Sequence, residues 1–198
     1  MTDTVNREVI VVAGTNGAGK STVLNELLLT RGVTVLNPDQ IAKVEIDQGA
    51  SPSEANSRAW HTNVRKLEEV RDHGGTFAFE TTLGGRTITR LLQEIVECGG
   101  TVRIYYIGLE SADLHVKRVE ERVTRGGHAI PEERIRGRYS SSLQHLARLM
   151  REVRTLRIYD NTTEPRHLAS IEGGKLAEVT DRCPEWARGV IVRAFGSD

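Results

Sequence analysis

The sequence predicts an α/β fold: a doubly wound, mostly parallel five-stranded sheet with a helical lid and a small C-terminal hairpin. Short runs of β-branched and aromatic residues alternate with longer helical patterns, which is typical of parallel sheets with helices on both faces. A glycine-rich loop follows the first of these runs, as in folds that bind phosphate between a strand and a helix. The predicted strands are Val9–Ala13, Val33–Leu36, Thr76–Phe79, Val102–Ile107 and Leu156–Tyr159.

Two helices are predicted from their first and last residues. Ser51-Pro52-Ser53-Glu54 combines a capping serine, a proline at the first helical position and a glutamate three residues after the serine. This pattern predicts a helix from Pro52 to about His73. A further helix is predicted from about Thr87 to Cys98, and a glycine pair follows each of the two helices as a stop signal.

The second half of the chain contains the predicted lid and a tail. Ala112–Arg125 is predicted to be helical, and Pro131 begins a long helix to about Val153. In the tail, two short β-rich runs flank Glu172-Gly173-Gly174 as a hairpin, and a last helix follows Pro184. We expect one domain over residues 1–198, with the lid at about 118–138 and the hairpin and last helix at about 166–195. The runs of the hairpin are His167–Ile171 and Lys175–Val179.

The composition excludes several classes of protein. Lys plus Arg and Asp plus Glu number 27 each, so no overall positive charge attracts nucleic acid or an anionic membrane. The two cysteines, Cys98 and Cys183, match no metal or redox spacing. The N-terminus lacks the apolar core of a signal peptide, and no apolar run is long enough to cross a bilayer. We therefore expect a cytoplasmic protein that binds neither nucleic acid nor membrane.

Residues 14–21 carry the pattern G-x-x-x-x-G-K-[ST] directly after an apolar strand. Small residues let successive backbone N–H groups curl around an oxyanion, and the helix that follows directs its positive dipole end at the same anion. In such a loop Lys20 reaches the β- and γ-phosphates and Ser21 binds Mg²⁺. The pattern predicts ATP and Mg²⁺ as ligands. The expected nucleotide contacts are Gly14, Thr15, Asn16, Gly17, Ala18, Gly19, Lys20, Ser21 and Thr22.

Two acids follow predicted strands, at the edge where open α/β sheets bind ligands. Asp39 comes just after the second strand, where it can act as the base that accepts the proton of an attacking hydroxyl, or simply cap the next helix. Glu80 ends the third strand and can bind substrate hydroxyls or hold the Mg²⁺ shell. Thr81 and Thr82 add hydroxyl groups, and Arg86 can reach an anion of the acceptor.

The predicted lid helix is rich in arginine. Arg118, Arg122 and Arg125 share the face opposite its valines, at spacings of three and four residues. Next to a triphosphate, these guanidinium groups would stabilise charge that develops on a transferring phosphoryl group. A solvated basic face is the alternative.

The motifs at 14–21, 37–39 and 79–82, together with the segment 125–139, resemble the zeta toxin family of phosphate-loop kinases, and more narrowly its small bacterial members called predicted ABC-type ATPases. The resemblance covers about residues 8–161 and implies an ATP-dependent kinase that phosphorylates a hydroxyl of UDP-N-acetylglucosamine and is inhibited by an antitoxin protein. It implies that Asp39 is the base and that Glu80 and Thr82 bind the sugar. Arg118 or Arg122, with Arg125, are the candidate catalytic arginines.

The sequence leaves three functions open. The first is a small-molecule kinase that acts on a hydroxyl, with a UDP-N-acetyl sugar as the acceptor that the resemblance implies. The second is a regulatory nucleotide-binding ATPase switch, and the third is a non-toxic metabolic or detoxifying kinase.

Overall fold

The computed structural model describes residues 5–22 and 34–196, in which strands and helices alternate as the sequence predicts. The strands are β1 (Arg7–Ala13), β2 (Gly75–Thr81), β3 (Thr101–Gly108), β4 (Thr155–Asp160), β5 (Arg166–Glu172) and β6 (Lys175–Val179). The helices with both ends described are α1 (Pro38–Asp47), α2 (Pro52–His73), α3 (Arg86–Glu97), α4 (Ala112–Thr124), α5 (Glu132–Leu149) and α6 (Glu185–Phe195).

One sheet contains all six strands in the order β2-β1-β3-β4-β5-β6. The first four in this order run parallel, and β5 and β6 are antiparallel to their neighbours. The α/β class with a mostly parallel sheet is therefore confirmed.

The predicted number of five strands was wrong, because the C-terminal hairpin belongs to the sheet. Strand β5 pairs along β4, with Thr155 opposite Glu172, and β6 then pairs with β5. In the predicted strand Val33–Leu36, Val33 lies outside the described residues, and Leu36 forms an isolated parallel bridge to Phe79. The C-terminal tail thus adds two strands to one edge of the sheet instead of forming a separate unit.

Side chains of strand β1, which lies between β2 and β3, alternate between two apolar cores. Val9 and Val11 pack into the larger core, to which α2, α3, α5 and α6 contribute, and they are fully buried. Ile10 and Val12 pack on the opposite face with Ala18 of the glycine-rich loop. Burial on both faces explains why β1 reads as a continuous apolar run.

Local signals fix the helix ends closely. Ser51 and Glu54 form the predicted capping box, and α2 ends where Gly74 adopts a φ of 82°. Helix α5 ends at Leu149 rather than near Val153, because the chain must turn before β4, and Val153 is buried after that turn. Among residues 5–22 and 34–196, no helix is long and apolar enough to cross a membrane.

Strands β1 to β4 end at the same edge of the sheet because they are parallel. This edge carries the glycine-rich loop after Ala13, the segment after Thr81, and the residues that follow Asp160. Ligands of open α/β sheets bind at this edge. The fold therefore brings together two segments predicted from the sequence, 14–21 and 80–82, and adds a third, after Asp160, that was not predicted.

Candidate phosphate-loop active site

Three glycines give the loop after β1 its shape. The φ values of Gly14, Gly17 and Gly19 are 146°, 82° and 81°. Residues that carry a side chain rarely adopt such values. A Cβ atom would lie 2.2 Å from the Ile107 carbonyl oxygen at Gly14 and 2.4 Å from Asn161 Nδ2 at Gly19. The loop thus has room only for glycine at these positions, as a backbone cradle for phosphate requires.

Three side chains from other parts of the chain fix the loop. His115 Nδ1 donates to the Asn16 carbonyl oxygen, and Arg138 Nη1 donates to Asn16 Oδ1, each at 2.8 Å. Asn161 Nδ2 donates to the Ala18 carbonyl oxygen at 2.8 Å. The helices α4 and α5 and the segment after β4 therefore each hold one side of the loop.

Lys20 and Ser21 stand where the helix after the loop begins. Lys20 Nζ donates to the Gly14 carbonyl oxygen at 2.8 Å. Burial lowers the pKa of Lys20, while the nearby charges of Glu80 and Asp39 raise it. The ammonium group therefore contacts the loop and interacts electrostatically with both predicted acids. Thr22 is exposed in the same helical turn.

Glu80, at the end of β2, is bound to the loop helix. Its Oε1 accepts from Ser21 Oγ at 3.3 Å and from Asn37 Nδ2 at 3.2 Å. Burial raises the pKa of Glu80, and Lys20 opposes this shift. A serine hydroxyl and a carboxylate are hard oxygen donors that suit Mg²⁺. The pair fits a magnesium shell.

Asp39 is exposed in the first turn of α1. One interpretation of the sequence was that Asp39 caps this helix, and the structure contradicts it. The cap is Asn37, whose Oδ1 accepts from the Asp39 backbone N–H at 2.9 Å, and the helix begins at Pro38. Among the described residues, no side chain binds the Asp39 carboxylate, which is close enough to Lys20 and Glu80 to affect the pKa of both.

The three predicted arginines of α4 diverge. Arg118 Nη2 donates to the Thr162 carbonyl oxygen at 2.9 Å, and Arg122 Nη2 donates to the His128 carbonyl oxygen at 3.0 Å. Arg125 is exposed at the end of the helix. Only Arg122 among them affects the pKa of Lys20.

Arg138 of α5 was not among the predicted site residues, although its charge also lowers the pKa of Lys20. Burial lowers the pKa of Arg138 itself, and the charge of Asp39 opposes that shift. Its side-chain stem covers Gly84, where a Cβ would lie 3.1 Å from Arg138 Cγ. Arg138 lies within the predicted lid at about 118–138, but only arginines of the preceding helix were chosen there.

The predicted acceptor residues lie on the segment after β2. Thr81 Oγ1 accepts from the Leu83 N–H at 3.1 Å, and Leu83 is fully buried with a φ of 54°. Thr82 is half-buried next to this turn, and Arg86 begins α3 with an exposed side chain. A buried leucine in this backbone region is strained, which is common in functional segments.

Asp160, the last residue of β4, connects the tail to the loop. Its buried carboxylate accepts from Thr162 Oγ1 at 2.6 Å, from Arg166 Nε at 3.1 Å and from Trp186 Nε1 at 3.3 Å. Asn161, which follows it, holds the Ala18 carbonyl oxygen. Asp160 and Asn161 were not among the predicted site residues, although both lie at a strand's carboxyl end, where site residues are expected.

Comparison with known proteins gives a family and a fold. A family model named AAA_33 and described as an AAA domain matches residues 9–141. An uncharacterized protein of Haemophilus influenzae is 31% identical over 136 residues, which are 68% of this chain and 94% of the relative.

Two solved structures share the fold at low sequence identity. A chain of the AvrRxo1-ORF1:-ORF2 complex with ATP has a TM-score of 0.69 at 15% identity, over 100% of this chain and 67% of that chain. A chain of the PezAT toxin–antitoxin system of Streptococcus pneumoniae has a TM-score of 0.57 at 13% identity, over 98% of this chain and 80% of that chain. Because the family model spans more than half of the chain, including most of β1 and the glycine-rich loop, the chain belongs to the AAA_33 family and has a phosphate-loop α/β fold.

Proposed function

We propose that this protein is a kinase that transfers the γ-phosphoryl group of ATP to a hydroxyl of a small molecule. One observation carries the proposal: Lys20 of the loop has two carboxylates, Asp39 and Glu80, and two guanidinium groups, Arg122 and Arg138, within electrostatic reach. A phosphoryl-transfer site needs these groups: cations around the moving phosphoryl group and a carboxylate on the acceptor side. The fold shared with a chain of a complex that contains ATP supports the choice of ATP as donor.

The donor half of the site is the loop and the start of its helix. The loop's backbone N–H groups hold the β- and γ-phosphates, and Lys20 leaves its contact with the Gly14 carbonyl to bind them. Ser21 and Glu80 would hold Mg²⁺, which when bound neutralises charge between the β- and γ-phosphates. The bond between Ser21 and Glu80 supports a role of Glu80 in the magnesium shell rather than in sugar binding.

The acceptor half contains Asp39 and the segment 80–86. The acceptor oxygen attacks the γ-phosphorus and its proton passes to the Asp39 carboxylate. The bond from the γ-phosphorus to the bridging oxygen breaks as the new one forms, and ADP leaves. Arg122, Arg138 and Lys20 stabilise the charge on the phosphoryl oxygens during transfer.

For the acceptor we propose a UDP-N-acetyl sugar. The resemblance to zeta toxins supports it. An antitoxin protein is the proposed partner, which the same resemblance supports together with the fold shared with a chain of a toxin–antitoxin system.

Product analysis tests the proposed reaction. Purified protein is incubated with labelled ATP, Mg²⁺ and a panel of UDP-sugars, nucleosides and aminoglycosides, and products are identified by mass. We expect one acceptor to gain a phosphate. Asp39→Asn should lower transfer by at least ~100-fold while ATP affinity stays nearly unchanged, because the loss of a base affects the chemical step. The exposed Asp47→Asn at the end of α1 is the matched control. Equal transfer by wild type and Asp39→Asn would disprove the role of Asp39.

Growth assays test the toxin part. Induced expression without an antitoxin should arrest growth, and Lys20→Ala should relieve the arrest. If the intact protein is harmless, the reaction serves a metabolic or detoxifying purpose instead.

A further inference from the structure

A second concave surface lies beside the acceptor half of the site, between α3 and α5. This groove has a volume of about 310 Å³. Successive turns of α3 contribute Arg86, Arg90 and Gln93. Helix α5 contributes His145 and Arg148. Its charged lining is entirely basic: the residues lining the groove include three arginines and no carboxylate.

Two of these arginines have no carboxylate partner in the part of the chain that the structure describes. Arg90 forms an ion pair with Glu94, which also binds Arg71. For Arg86 and Arg148, residues 5–22 and 34–196 provide neither an ion pair nor a side-chain hydrogen bond. Like charges that face one concave space repel each other, and the concave shape strengthens their field. An anion in the groove would remove this repulsion.

Hydrogen bonds hold the walls of the groove in position. His145 Nδ1 donates to the Leu83 carbonyl oxygen at 2.8 Å, which ties α5 to the segment before α3. Gln93 Nε2 donates to Glu152 Oε1 at 3.0 Å, which ties the middle of α3 to the residues after α5. The arginines are therefore presented by two helices that are already fixed relative to each other.

The groove adjoins the proposed reaction site. His145 and Arg138 are seven residues apart on α5, so they lie on the same face of the helix about 10 Å apart along its axis. Leu83, which His145 binds, follows directly after Thr81 and Thr82. A small molecule bound in the groove can therefore extend to the acceptor half of the site.

We propose that this groove binds the phosphate group of a small phosphorylated molecule. Guanidinium groups bind phosphate oxygens through paired N–H donors, and the Thr87 hydroxyl and Gln93 amide of the lining add neutral donors. The limited volume favours a small molecule over nucleic acid, as does the balance of 27 basic and 27 acidic residues over the chain. The phosphate belongs either to the acceptor of the proposed kinase or to a separate regulatory molecule, and the first of these sources rests on the proposed function.

A titration with inorganic phosphate, followed by NMR of the ¹⁵N-labelled full chain at constant ionic strength set with chloride, tests the site directly. We expect the amide signals of residues 86–90 to shift in a saturable manner. Signals of residues 14–20 report the glycine-rich loop separately, so failure of the groove is distinguished from failure of the nucleotide site. In Arg86→Glu/Arg148→Glu the groove should bind phosphate at least ~10-fold more weakly, because two attractive charges become repulsive, while the loop signals still respond.

Arg65→Glu/Arg193→Glu is the matched control, since it reverses two exposed arginines outside the groove and should leave both responses unchanged. The single Arg148→Gln provides a milder variant in case the double variant is destabilised. Unmoved groove signals in wild type, or equal phosphate binding by wild type and the groove variants, would overturn the proposal. So would binding of single-stranded DNA to the groove that phosphate does not displace.

Transfer assays assign the source of the phosphate. Paired acceptors with and without a phosphate group are compared, such as glucose with glucose 6-phosphate and uridine with UDP. If the acceptor supplies the phosphate, the phosphorylated partner is preferred by wild type, and the preference is lost in the groove variant. If a regulator supplies it, inorganic phosphate changes the transfer rate to an unphosphorylated acceptor in wild type alone. If neither effect is observed, the bound phosphate is an adventitious ion only, and the proposal is overturned.

Discussion

Arg138 donates from Nη1 to Asn16 Oδ1 at 2.8 Å, across 122 residues of sequence. This contact joins α5 to the glycine-rich loop. The arginine stem also covers Gly84 on the acceptor side. Arg138 therefore touches both halves of the proposed site.

We expect Arg138→Ala to lower kcat by about 10³-fold, the magnitude found for arginines that stabilise a transferring phosphoryl group. The KM for ATP should change much less, because Lys20 and the loop still bind the nucleotide. Steady-state kinetics with the identified acceptor measures both. Arg136→Ala is the control on the same helix, since Arg136 binds Asp113 and Glu132 instead. Similar losses in both variants would contradict a specific role of Arg138.

Glu80→Gln separates the two roles considered for Glu80. If the carboxylate orients the magnesium shell through Ser21, the Mg²⁺ concentration for half-maximal rate should rise about 10-fold or more, as when other outer-shell partners of metals are lost. The KM for the acceptor should stay the same. Mg²⁺ titrations of the transfer rate measure the first quantity. Thr82→Ala, on the acceptor side, should show the reverse pattern, and a raised acceptor KM in Glu80→Gln would favour sugar binding.

Asn161→Leu removes the donor that holds the Ala18 carbonyl oxygen. An unsatisfied buried carbonyl costs about 1–3 kcal/mol, so we expect a loss of that size in the free energy of unfolding, together with weaker ATP binding. Chemical denaturation and nucleotide titration measure the two effects. Asn63→Leu is the control, because Asn63 is buried in α2. That variant should change stability without changing ATP affinity.

His115 predicts a pH dependence of stability. Burial lowers its pKa to about 4, whereas the ordinary value is 6.5. The unfolded chain therefore binds a proton that the folded chain does not between these values, so this histidine makes folding less favourable as the pH falls from about 6.5 to 4. The full effect is about 3 kcal/mol.

His115→Asn tests this dependence, because the asparagine amide can donate to the Asn16 carbonyl oxygen from about the position of Nδ1 and does not titrate. Denaturation at pH 7 and at pH 4.5 should show a smaller loss of stability in the variant than in wild type. The exposed His61→Asn should behave as wild type. Identical pH profiles for wild type and His115→Asn would show that another group controls acid stability.

Sequence reasoning predicted the features that depend on local chemistry. Gly14, Gly17 and Gly19 signal their backbone conformations directly, and the α/β alternation follows from the apolar runs. Pairing between distant segments is different. The position of the hairpin in the sheet depends on the register of β5 against β4, and turn residues do not encode it.

The same limit applies to the site. Asp39 and Glu80 were found because they lie at or after the ends of predicted strands. That Ser21 and Asn37 bind Glu80, while no side chain of residues 5–22 and 34–196 binds Asp39, depends on tertiary packing. In the sequence, Asn161 is one of several polar residues that follow a strand. Only the folded structure shows that it binds the glycine-rich loop. Helical spacing grouped Arg118, Arg122 and Arg125, yet Arg138 approaches the loop from another helix.

The buried carboxylate of Asp160 has a consequence for the boundaries of the protein. The family match ends at residue 141, inside α5. A fragment cut there would lack β4, Asn161 and the tail residues Arg166 and Trp186 that Asp160 holds. Its glycine-rich loop would keep its sequence and lose one of its supports. The segment that the family model matches is therefore shorter than the segment that supports the glycine-rich loop. Relatives that differ only in the tail can differ in how they hold a nucleotide.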